Sequence, residues 1–186
     1  MNFIFSYIYS FFTDGILYVI ILLPLYIICR YLFIKKKSQT NINFKISVLY
    51  EMTAAALFVY LIMLFTQTFI VNAGQNSIEV IPFRIITTQL FDIWRSKNGL
   101  RNFTFNVAGN IGVFVPVGFL LAYLCNNNIK KTVLHGCIIS IFIELVQIPL
   151  ARTTDIDDVI LNTTGTAIGF LIYKLINRIF KKRTAN

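Results

Sequence analysis

The sequence predicts an all-α membrane protein, a polytopic bundle of about five transmembrane helices with its N-terminus outside and its C-terminus inside. Three observations lead there. Of 186 residues, 56% are hydrophobic and only 13% charged, and the mean hydropathy is +0.70, far from the balance of a water-soluble domain. The apolar residues gather into stretches near the ~20 residues that cross ~30 Å of hydrocarbon. The basic residues gather between alternate stretches rather than uniformly.

Taken in order, residues 3–12 are aromatic but too short to span, and read as an interfacial lead-in rich in Phe and Tyr. The first span is expected at about 15–34. No Lys or Arg precedes Arg30, so the basic n-region of a cleavable signal is missing and this segment is expected to be retained. Further spans follow at about 48–71, 107–124, 132–150 and 159–177. Arg30, Lys35, Lys36, Lys37 and Lys45 follow the first span; Lys130 and Lys131 follow the third; Lys174, Arg178, Lys181, Lys182 and Arg183 end the fifth. These define the cytoplasmic side by the positive-inside rule. The other side mixes Arg84, Arg95, Lys97, Arg101 and Arg152 with Asp14, Glu79, Asp92, Asp155, Asp157 and Asp158 and is close to neutral. Topology and anionic inner-leaflet lipid therefore account for the formal charge of +9, and no nucleic-acid partner is required. No linker, low-complexity tract or repeat divides the chain, so residues 1–186 are expected to form one domain.

Within the long segment 72–106, Phe83, Ile86, Leu90, Ile93 and Trp94 recur at helical spacing, with Arg84, Thr87, Thr88 and Arg95 on the other face. This predicts an amphipathic helix at about 83–97 in the outer interface, anchored by Trp94 and stopped at Asn98-Gly99. It serves either as a lid over a ligand or as a plain cover for the bundle.

Ionisable groups inside hydrocarbon are costly, so each needs a reason. Glu144 falls in the fourth span, ~9 Å below its outer end at ~1.5 Å per residue, with Gln147 on the same face. On the third span Asn106 and Asn110 are four apart, and Pro116 deprives the Gly112 carbonyl of its helical partner. On the fifth, Asp155, Asp158 and Asn162 share a face while Asp157 points elsewhere. The predicted topology brings all of these into the outer third of the bundle from three helices. For Glu144 two readings stand: a functional carboxyl, or a structural pair with Arg152 two turns along. Asp155 and Asp157 also suit a helix N-terminus that Thr154 could cap, and Asp157 reads as structural. The asparagines could simply bond across helices, and Gly165 and Gly169 form a GxxxG suited to close packing. Glu51 can snorkel toward Lys45. His135, the only histidine, falls on the cytoplasmic side, which excludes a His-based zinc site or a Ser/His/Asp triad in the outer cluster. Cys29, Cys125 and Cys137 fall in cytoplasmic halves, so no disulfide is expected.

The strings Asn110-Ile-Gly-Val-Phe-Val-Pro116-Val-Gly118, Glu144-Leu-Val-Gln147 and Arg152-Thr-Thr-Asp155-Ile-Asp157-Asp158-Val-Ile-Leu-Asn162-Thr-Thr-Gly165 resemble the VanZ-like family of bacterial membrane proteins. Ile81-Pro82-Phe83 is similar to that family's Leu/Ile-Pro-Phe element, and the likeness covers roughly 78–170. The resemblance implies a multi-pass protein of the bacterial cell envelope associated with reduced susceptibility to glycopeptide antibiotics, teicoplanin in particular. On this basis Asn106, Asn110, Glu144, Gln147, Arg152, Asp155, Asp158 and Asn162 are expected to bind a membrane lipid headgroup or a lipid-linked peptidoglycan precursor. The competing reading is an intramembrane enzyme with Glu144 as general acid or base and Asp155 and Asp158 holding Mg²⁺ or Mn²⁺. A third is a non-catalytic membrane partner whose polar residues only join helices.

Overall fold

Helix α1, Phe3–Thr40, takes the aromatic lead-in and the first expected span together in one 38-residue helix with Pro24 inside it. At ~1.5 Å per residue it is longer than a bilayer core is thick. Helix α2 is Val48–Ile70. Our computed structural model describes residues 3–40, 46–70, 78–79, 81–150 and 154–183, and the chain divides into two compact units, Met1–Val71 and Asn72–Asn186.

In the first unit α1 and α2 pack together. Tyr26 stacks on Phe58 with ring centroids 4.5 Å apart. Arg30 grips Glu51 through two hydrogen bonds, Nε to Oε2 at 2.6 Å and Nη2 to Oε1 at 2.8 Å, and lies 5.1 Å from the Phe33 ring. The partner of Glu51 is thus a cation on the neighbouring helix, where sequence spacing suggested Lys45; Lys45 lies outside the described residues. The fork of the guanidinium matches a carboxylate in two places at once, which an ammonium cannot do.

The second unit begins with a two-residue strand, β1 (Ile78–Glu79), then α3 (Arg84–Arg95), α4 (Gly99–Phe103), a π-helical turn Thr104–Ala108 and α5 (Gly109–Leu124). After the turn come α6 (Ile129–Gln147), a 3₁₀ turn Ile148–Leu150, strand β2 (Thr154–Asp155) and α7 (Ile156–Arg183). Strand β1 pairs parallel with β2, Ile78 opposite Thr154 and Glu79 opposite Asp155, a link that no sequence pattern announced. The expected amphipathic helix is α3, within two residues at each end, and its Trp94 is 89% exposed.

Helices α5 and α7 approach so closely that a methyl group on Gly165 would strike the Ile111 carbonyl, and one on Gly169 the Val115 carbonyl. The GxxxG pair is therefore a packing surface. Asn126 and Asn127, at φ 53° and 58°, turn the chain from α5 to α6 in a left-handed conformation that Asn tolerates. The Asn128 side chain caps α6 by accepting from the Lys131 N–H at 3.1 Å.

Burial identifies the solvent. On α6 the buried face carries Thr132, Gly136, Ser140, Ile143, Glu144 and Gln147, while Leu134, Ile138, Ile141, Phe142 and Leu145 are exposed. A helix with its polar stripe inward and its apolar face outward is stable in lipid and unstable in water. Four helical stretches among the described residues are long and apolar enough to cross a membrane: Thr13–Thr40, Val48–Gln67, Gly99–Leu124 and Ile156–Lys181. The remaining expected span corresponds to α6, which at 19 residues is long enough but carries Lys130, Lys131 and Glu144, and so is not among these four.

Candidate functional site

The polar residues gather where α6 ends, α7 begins and α5 passes beside them. Helix α6 presents Glu144 at 5% exposure and Gln147, also buried. Ser140 and Thr132 continue the same buried stripe inward. The Glu144 carboxylate, through Oε2, accepts the Asp155 backbone N–H at 3.1 Å, and the Glu144 carbonyl accepts from Thr154 Oγ at 3.4 Å. One residue of α6 thus receives the incoming strand β2 at two points.

Asp155 caps α7. Its Oδ1 accepts the N–H of Asp157 at 2.9 Å, which satisfies one of the donors that a helix start leaves unpaired. The capping residue is Asp155, one position after Thr154, where the sequence suggested it. The more usual acceptor for the cap's own N–H is an acidic side chain three residues on; here Glu144 takes that role from another helix.

Asp157 was expected to be structural, facing away from Asp158, and it is the most buried acid described here, at 1% exposure. Its two carboxylate oxygens accept the N–H groups of Phe83 at 2.5 Å and Ile86 at 3.3 Å. It therefore caps α3, 74 residues back along the chain. Phe83 sits at φ 64°, a left-handed backbone that costs a bulky residue ~1–3 kcal/mol. The Asp157 carboxylate holds it there. The Ile81-Pro82-Phe83 element is thus fastened to the start of α7 by a carboxylate and by the β1–β2 bridge.

Asp158 and Asn162 face the other helices. The Asn110 amide on α5 donates to Asp158 Oδ1. Asn162, at 5% exposure, donates through Nδ2 to Ser140 Oγ on α6 at 2.9 Å, and its backbone carbonyl accepts from Thr166 Oγ at 3.0 Å. The Asn162 Oδ1 atom is buried with no hydrogen-bond partner in the structure.

The structure thus links Asn110 to Asp158, Glu144 to Asp155, and Asn162 to Ser140 on the α6 face that also carries Glu144, with Gln147 buried one turn beyond Glu144. Asn106 does not join them: it is exposed. The π-helical turn Thr104–Ala108 places an extra residue between Asn106 and Asn110, so their four-residue spacing no longer means one face. Arg152 lies outside the described residues. Among the described residues no three His, Cys, Asp or Glu side chains cluster as a metal centre would require, and Asp155 and Asp158, the candidate ligands for Mg²⁺ or Mn²⁺, each accept a hydrogen bond from the protein. Ser140, Thr166 and Phe83 were absent from the expected set. Ser140 lies one turn before Glu144 on the same face and could have been found by that spacing, whereas the Phe83–Asp157 link has no local signature.

The chain matches the family model described as VanZ/LLP1 over residues 52–177. No curated protein and no solved structure matches it. A match over two thirds of the chain, covering both ends of the Glu144–Asp155–Asp157 network, means that this protein belongs to the VanZ/LLP1 family.

Proposed function

We propose that this VanZ-like protein is a multi-pass protein of the bacterial cell membrane. In this reading its α5–α6–α7 polar cluster faces the extracytoplasmic side and recognises a lipid headgroup or a lipid-linked wall precursor, lowering susceptibility to glycopeptides such as teicoplanin. The observation that carries the reading is the convergence of Asn110, Glu144, Asp158 and Asn162 from three helices in a protein whose exposed surface is largely apolar. Polar groups that only joined helices would not need the buried carboxylates of Glu144 and Asp155 with Asp158 beside them, because burying a carboxylate costs several kcal/mol. Helix α3, with Phe91 and Trp94 exposed, lies in the interface beside the cluster.

The test uses amides that keep shape and remove charge. In Glu144→Gln the amide oxygen still accepts the Asp155 N–H, and in Asp158→Asn the oxygen still accepts from Asn110. Both variants, with Asp155→Asn, are expected at near-normal membrane abundance and thermal stability in detergent, with the teicoplanin phenotype of an overexpressing strain lost. Wild-type susceptibility in all three would sink the proposal, as would identical susceptibility of knockout and overexpressing strains.

The burial of Glu144 favours a second reading, an intramembrane enzyme acting on a lipid-linked substrate with Glu144 as general acid or base. Mass spectrometry of lipids and wall precursors from cells with and without the protein separates the two: a changed species means chemistry, and an unchanged profile means recognition alone.

A further inference from the structure

We infer that helix α3 and the turn after it form a second lipid site, in which an apolar sector of α3 sinks into the bilayer and Arg95 and Lys97 meet the headgroup of an anionic phospholipid. This builds on the interfacial placement of α3 given above and is separate from the α5–α6–α7 cluster.

At about 100° per residue, α3 divides into sectors. Ile86, Gln89 and Ile93 share one of them, are half-buried, and include a buried atom, Gln89 Oε1, so this sector faces the protein. Leu90, Phe91 and Trp94 lie beside it and are 45%, 68% and 89% exposed. Arg95 follows at the far edge of that apolar sector, with Thr88 and Asp92 beyond it, all three exposed. Around the outward side of one helix, apolar surface gives way to a cation and then to polar surface. Hydrocarbon, headgroup and water follow one another across a bilayer interface in the same order.

The helix is held in this attitude by the protein itself. Asp157 accepts from the Phe83 and Ile86 N–H groups at its start. At its other end α4 folds back so closely that a methyl group on Gly99 would strike the Asp92 carbonyl, and the intervening turn carries Lys97. Arg95 and Lys97 are exposed, and among the described residues neither side chain has a partner, whereas Arg84 and Arg101 are engaged within the protein. Two cations left over beside an apolar face match an anionic headgroup lying just above hydrocarbon, because each keeps its charge at the wet edge while the neighbouring rings are buried. A second copy of the chain would bring the same two cations to a face-to-face contact, where they repel. A zwitterionic surface has no net charge to answer them.

Trp94 is the only tryptophan of the chain, so its fluorescence reads α3 alone. The full-length protein is reconstituted in nanodiscs of phosphatidylcholine with graded phosphatidylglycerol, one or the other lipid being brominated near the top of its acyl chains, and lipid quenching of Trp94 is compared with quenching by aqueous acrylamide. Strong quenching by lipid and weak quenching by acrylamide are expected. At equal mole fraction brominated phosphatidylglycerol should quench more than brominated phosphatidylcholine, the excess falling as salt is raised. A basic side chain at an anionic surface strengthens binding about five-fold, so Arg95→Gln and Lys97→Gln should each lower the apparent phosphatidylglycerol association by that factor and the pair by roughly twenty-five-fold, with Trp94 still quenched by lipid. Lys130→Gln with Lys131→Gln, at the start of α6, should change nothing. Equal quenching by the two lipids, or a double variant that keeps the wild-type preference, would overturn the anionic-lipid assignment while leaving α3 in the interface. Free access of acrylamide with no quenching by either lipid would overturn the lipid site altogether. Emission that shifts only in nanodiscs holding two copies would assign the face to a second copy instead. The α5–α6–α7 cluster is tested apart from all of these, by the teicoplanin phenotype of Glu144→Gln.

Discussion

Asp157→Asn tests the least expected link in the molecule, the capping of α3 by the start of α7. The carboxylate accepts from the Phe83 and Ile86 N–H groups at once, and at 1% exposure it is itself withdrawn from water, while the two bonds are only part-buried. Asparagine has one acceptor oxygen and one amino group, so in either orientation one backbone N–H faces a donor. A hydrogen bond to a charged acceptor contributes about 1.5–3 kcal/mol, and an abandoned N–H costs up to a similar amount where water does not reach it. Part of this is offset because a neutral side chain is easier to bury and because Phe83 can relax from its left-handed backbone. A net weakening of α3 docking by about 2 kcal/mol is expected, roughly thirty-fold in the docking equilibrium. Hydrogen exchange in detergent reads it directly: the α3 amides should exchange faster in the variant while those of α5 and α7 change little. Phe83→Gly in the Asp157→Asn background should recover part of the protection, because glycine adopts φ 64° without strain. If α3 exchange in Asp157→Asn is indistinguishable from wild type, the carboxylate does not hold this element and the reasoning fails.

Three further outcomes are expected. Gly165→Ala and Gly169→Ala each force a methyl into a backbone carbonyl of α5 and should cost about 1–3 kcal/mol by overpacking, seen as a lower unfolding temperature; unchanged stability of both would mean that α5 and α7 are not in that contact. Glu51→Gln should destabilise the α1–α2 pair by about 1 kcal/mol, a modest value because both partners are partly exposed, and Arg30→Met with Glu51→Met should restore stability; a double-mutant cycle without coupling would remove the ion pair as a stabilising element. Single cysteines near Asn76 and Arg152 should label with an impermeant thiol reagent in whole cells of a Cys-free variant, and one near Asn127 should not. The reversed pattern would turn the cluster to the cytoplasm.

What could be read from residues alone was what depends on solvent and on periodicity. Lipid selects apolar stretches of fixed length, so the helices around 48–71, 107–124 and 159–177 were visible as composition. The amphipathic stripe Ile86–Leu90–Ile93 placed α3 to within two residues, because a helix at a boundary needs one apolar face. Gly165 and Gly169 announced a close crossing, since nothing larger permits one. Even the polar cluster was legible as far as spacing along a regular helix carries: Glu144 with Gln147, and Asp158 with Asn162. Spacing failed at the π-helical turn, where an inserted residue moved Asn106 off the face of Asn110.

Tertiary structure alone decided who meets whom. Arg30 with Glu51, Glu144 with the Asp155 N–H, and Asp157 with the N–H groups of Phe83 and Ile86 join residues far apart in the chain. A backbone N–H is present at nearly every residue, so no side-chain pattern marks the one that a distant carboxylate will claim. The same four acids that composition shows as a local excess of negative charge become, once packed, a cap for α7, a cap for α3, a landing point for β2 and a partner for Asn110, and only the packing leaves Asn162 Oδ1 with nothing to accept.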